Sequence, residues 1–91
     1  MDGPESNPAR RPPTAAELHQ ESLNIRRLQF LVGLVMNVIS QSRDMPVEEA
    51  AELVAGARRA ALNMFPGKEL AYDILYKPRL QRLMREKYRI Q

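Results

Sequence analysis

Leu28-Gln29-Phe30-Leu31-Val32-Gly33-Leu34-Val35-Met36-Asn37-Val38-Ile39 is the longest apolar run in the chain. It contains no proline and only two polar side chains, Gln29 and Asn37. Set out at about 100° per residue, its apolar side chains fall on two sides of a helix. Ile25, Leu28, Val32, Val35, Met36 and Ile39 form one side, and Phe30, Leu31, Leu34 and Val38 form the other. Together they cover about two thirds of the circumference, which is more than an ordinary surface helix buries. Arg26, Gln29, Gly33, Asn37 and Ser40 fill the narrow strip that is left. Two arrangements satisfy such a helix. Either the rest of the chain wraps it, or a second copy or another partner covers Phe30, Leu34 and Val38.

The helix is bounded by local signals. Thr14-Ala15-Ala16-Glu17 fits a capping box, in which the Thr hydroxyl and the Glu carboxylate each accept from the other residue's amide. No proline interrupts the chain from there to about Ser42. Asp44-Met45-Pro46-Val47-Glu48-Glu49 then reads as a second helix start, with proline expected in the first turn and two carboxylates at the positive end of the helix dipole. This helix is expected to reach about Met64. Phe65-Pro66-Gly67 follows as a turn, because a residue before proline avoids helical dihedrals. A short third helix is expected from Lys68 to Tyr76. Lys77-Pro78 kinks or breaks it, and a fourth runs from Pro78 to near Tyr88.

No segment alternates apolar and polar residues between turn signals, so no strand is expected. The fold class is therefore all-α: a small helical bundle, with two longer helices as an antiparallel hairpin and two short C-terminal helices. Residues 1–13 carry Pro4, Pro8, Pro12 and Pro13 and almost no apolar side chains. They are expected to be a disordered tail, and residues 14–91 a single helical domain.

The second helix has a side of mostly small residues, Ala50, Ala51, Val54, Ala57 and Ala61. Small side chains let backbones approach, so this side is expected to pack tightly on the first helix. Arg58 projects into it, between Val47 and Ala51. A lone charge there is costly, so a carboxylate partner is expected, Asp73 first and Glu69 second. The competing expectation is that Arg58 runs its stem along the apolar side and reaches water.

Composition excludes several functional classes. There is no Cys, hence no disulfide, thiolate ligand or cysteine nucleophile. The single His, His19, lies in the polar first turns, where a solvated surface role is expected. No Ser-His-Asp set or glycine-rich phosphate loop is present; Pro66-Gly67-Lys68 lacks the further glycines and the preceding strand that such a loop needs. Glu48, Glu49 and Glu52 read as a helix-start charge block. No catalytic, cofactor-binding or metal-ligating residue is assigned, and no cofactor is expected. The longest apolar run is too short for a membrane span, and no secretion signal is evident after Arg10-Arg11-Pro12-Pro13, so a cytoplasmic protein is expected.

What remains is a binding protein. Lys plus Arg number 14 against 11 Asp plus Glu, for a net charge of only +3. The excess lies at one end: residues 77–91 hold six basic side chains against Glu86 alone. Leu80, Leu83, Met84 and Tyr88 share one side of the last helix; Arg82, Arg85 and Arg89 cluster within about 60° on the other, and Arg79 lies nearby with Glu86. Tyr72 and Tyr76, four apart, are expected at the rim of the core with wet hydroxyls. The expected function is a non-enzymatic protein-interaction module, homodimeric or partnered through Phe30, Leu34 and Val38, with the basic end at Arg79, Arg82, Arg85 and Arg89 as the contact for an acidic partner. The alternative is a nucleic-acid-binding accessory protein using Arg79, Arg82, Arg85 and Arg89. Basic side chains near a helix C-terminus also simply complement its dipole.

Overall fold

The computed structural model describes residues 12–89. The expected tail over 1–13 lies outside them except for Pro12 and Pro13, which are exposed and irregular. Four helices follow in order: α1 (Ala15–Gln41), α2 (Val47–Met64), α3 (Glu69–Leu75) and α4 (Lys77–Tyr88). There is no strand among the described residues, and the helices pack as a small bundle.

The ends of the elements follow from local chemistry. The Thr14 hydroxyl accepts from the Glu17 amide at 3.1 Å, and Glu17 Oε1 accepts from the Thr14 amide at 2.8 Å, completing the capping box. At the other end of α1, both the amide and the hydroxyl of Ser42 donate to the Val38 carbonyl. Pro46 occupies the N-cap of α2, one position before the first turn expected for it. Its carbonyl accepts from the amides of Glu49 and Ala50, so the missing proline N–H is never needed. After α2, Gly67 takes φ +78°, a left-handed conformation that disfavours any residue with a Cβ. At Pro78 the chain forms two helices that share Tyr76 as the C-cap of α3 and the N-cap of α4. Proline has no N–H for the Ile74 carbonyl, so the α-helical ladder cannot run unbroken through this point.

The core is one row of α1 pressed against the small residues of α2. Leu28, Val32, Val35 and Ile39 are buried, as are Ala50, Ala57 and Ala61. Tyr72 from α3 and Leu80 from α4 close it. Ala51, expected on the same side, is exposed: the contact with α1 is centred on the row Ala50, Ala57 and Ala61, and Ala51 lies to one side of it. Of the two arrangements considered for α1, a helix wrapped by the other three is not what forms among the described residues. α2 and α4 touch α1, whereas α3 packs only on α2 and α4. The first half of α1, from Ala15 to Arg27, contributes no buried residue at all.

α4 is tied down at its far end. Lys87 Nζ donates to the Ser42 carbonyl at 2.6 Å, and the Tyr88 hydroxyl donates to the Met45 carbonyl at 2.9 Å. Both bonds reach back across the bundle to the loop between α1 and α2.

Candidate interaction surfaces

Besides Leu18 near the start of α1, large apolar side chains are exposed on two surfaces. The first is the outer row of α1. Phe30 is 72% exposed, Leu34 47% and Val38 39%. Their i, i+4, i+8 spacing sets them in one ridge, on the side away from Leu28, Val32 and Ile39. No other element among the described residues covers this ridge, so the residues singled out in the sequence stand together on an exposed face.

The second place was not legible as a site. Leu70, Ile74 and Leu75 of α3 are all more than half exposed, and only Tyr72 of that helix is buried. Because α3 stands away from α1, a groove of about 460 Å³ opens between them. Ile25, Leu28, Phe65, Tyr72, Leu75 and Tyr76 line it, with Lys68 as its charged member. Ile25, on the same side of α1 as Leu28 and Val32, forms a groove wall and is 42% exposed among the described residues.

Tyr72 and Tyr76 stack at 5.5 Å between ring centroids, tilted by 33°. Tyr76 is half-buried. Tyr72 corrects the expectation of a wet hydroxyl: its oxygen is inaccessible and has no hydrogen-bond partner among the described residues. Burial pushes this phenol's pKa upward. An unpaired hydroxyl in such a place carries a desolvation penalty with no compensating bond. Tyr72→Phe is therefore expected to leave the melting temperature unchanged or to raise it. A clear fall in a thermal melt would show that the hydroxyl holds a bond that matters.

Beside Tyr72 lies the partner expected for Arg58. Its Nε and one terminal nitrogen donate to the two oxygens of Asp73 at 2.9 and 3.0 Å, a two-pronged pair joining α2 to α3. The hydrogen bond from Arg58 holds the Asp73 carboxyl below the ordinary carboxylate range, against some opposing desolvation. A carboxylate lowered in the folded state stabilises above its unfolded pKa of about 3.9, and that stabilisation is lost as pH falls through the native value. Asp73→Asn should therefore lower the melting temperature at neutral pH. The deficit should shrink at about pH 3, where the wild-type carboxyl is largely protonated when unfolded. An equal deficit at both pH values would contradict this role. By contrast, Arg59 and Glu52 form a solvent-exposed pair at 3.8 Å that contributes little.

Arg79, Arg82, Arg85 and Arg89 are all exposed, and none of their side chains has a hydrogen-bond or ion-pair partner among the described residues. Leu80 beneath them is fully buried, and Leu83, Met84 and Tyr88 pack inward. His19 is exposed on α1. Among the described residues no group of three or more acidic or His side chains is placed to hold a metal ion, and no helix is long and apolar enough to cross a membrane. No family model, curated protein or solved structure matches the chain. The functional reading therefore rests on these surfaces alone.

Proposed function

We propose that this chain is a non-enzymatic, cytoplasmic interaction module that pairs with a second copy of itself through the outer ridge of α1. The single observation that carries the reading is the exposure of Phe30, Leu34 and Val38 in one row opposite the core. Such a ridge is convex, and it can pack against an identical ridge. Rows of i±4 side chains interdigitate in the commonest class of helix crossing. A twofold axis near Leu34 would then place the same residues on both sides of the contact, as an isologous interface requires. The groove beside α3 is concave and does not pair with itself in this way.

The ridge is narrow, so the dimer should be weak, with dissociation in the micromolar range rather than obligate. Dilution followed by nuclear magnetic resonance tests the location of the contact. Between about 100 and 1 µM, signals from Phe30, Leu34 and Val38 are expected to shift, while those of α3 and α4 stay in place. Shifts confined to α3 would move the association to the groove and overturn this reading.

A further inference from the structure

We propose that the outer face of α4 is a binding surface for the phosphate backbone of duplex nucleic acid. It lies on a different helix from the ridge of α1 and does not depend on self-association. Arg82 and Arg85 share the outer side of this helix, Arg79 lies at its edge and Arg89 caps its end; all four are exposed, and their side chains are unpaired among the described residues. From Arg79 to the end of the helix at Tyr88 the axis advances about 14 Å. Phosphates on one duplex strand recur about every 3.4 Å of axis, so this length spans about four of them. Arginine presents a planar fork that matches phosphate oxygens, and it holds its charge at any working pH.

The bundle holds this face rigid. Leu80 anchors the start of α4 in the core. The bonds from Lys87 to Ser42 and from Tyr88 to Met45 fix its end. The same bonds bring the loop that carries Arg43, exposed and unpaired among the described residues, to the end of α4 where Arg85 and Arg89 stand. Glu86 lies on α4 among these arginines, and Asp44 adjoins Arg43. Neither pairs with an arginine among the described residues, so neither neutralises the face directly.

Two features favour a nucleic acid over an acidic protein. Protein interfaces centre on buried aromatic and apolar anchors. α4 exposes no large apolar side chain, because Leu80, Leu83, Met84 and Tyr88 are all turned into the bundle. A phosphate backbone needs charge alone. Proteins that bind single strands stack bases on exposed aromatic rings, and none stands among these arginines. The surface is therefore suited to a duplex, read by its backbone and without sequence preference.

The test is fluorescence anisotropy of the full chain with labelled random-sequence duplex DNA and duplex RNA, and with a poly-glutamate peptide of matched charge. At about 50 mM salt, a duplex should bind more tightly than about 100 µM, with a log–log salt slope near −3.6 for four contacts. Arg82→Ala combined with Arg85→Ala should reduce the steepness of that slope by about half, while the thermal melt stays unchanged. Glu86→Gln, which removes the acidic group within the strip, should tighten binding. No duplex binding at that limit would overturn the proposal. So would binding that the arginine variants leave unaltered, or poly-glutamate binding as tight as either duplex. Preference between DNA and RNA identifies the natural duplex.

Discussion

Leu34→Glu is expected to give a folded monomer. Leu34 sits at the middle of the exposed ridge and is nearly half exposed, so a carboxylate there remains hydrated in the single chain. In a pair of ridges, two such carboxylates would meet across the twofold axis, desolvated and of like charge. That loss is several kcal/mol against a weak contact, enough to abolish it at any ordinary concentration. Circular dichroism should show the wild-type helical spectrum, and sedimentation should show the mass of one chain. Retention of the dimer by Leu34→Glu would place the contact elsewhere. Loss of the helical spectrum would mean that α1 cannot fold without its partner.

Leu80→Ala should have the largest effect on stability. Leu80 is among the largest fully buried side chains, and it is the only residue of α4 in the buried core. Truncation of a buried leucine removes its transfer energy and leaves a cavity, for about 2–5 kcal/mol in all. A domain of this size has about 4–11 kcal/mol of total stability. Its melting temperature should fall by at least about 8 °C, since each kcal/mol is worth about 4–8 °C here. The outer end of α4 should loosen first, releasing the hydrogen bonds from Lys87 and Tyr88 to the loop. Arg82→Ala, at the surface of the same helix, is the control and should melt with the wild type. Equal melting of Leu80→Ala and wild type would mean that α4 is not anchored through this side chain.

The helices themselves were legible because their ends are written in local chemistry. Thr14 and Glu17 cap α1, Pro46 starts α2, and Gly67 is needed for the turn that leaves it. The pairing of Arg58 with Asp73 was legible for another reason: a charge on an apolar side must find a partner, and a carboxylate lay at the right distance along the chain. What was not legible is which sides of each helix end up covered. Periodicity sorts residues onto faces, but coverage depends on helix lengths and on where the next helix lands. α1 has 27 residues and α2 has 18, so α1 runs past its partner by about 13 Å. Ile25 is uncovered near that overhang, beside the groove where α3 stands clear of α1. The open faces of Leu70, Ile74 and Leu75 follow from the same geometry, as does the trapped hydroxyl of Tyr72. The bonds from Lys87 and Tyr88 to the loop carbonyls connect residues more than 40 positions apart, and no local signal announces them.

The ridge of Phe30, Leu34 and Val38 remains the feature on which the functional account turns, and sedimentation equilibrium of the wild-type chain tests it most directly. Between about 1 and 100 µM, the apparent mass should rise from that of one 10.4 kDa chain toward twice that value. A mass that stays at one chain across the whole range would contradict self-association and leave the ridge an uncovered face of a monomer.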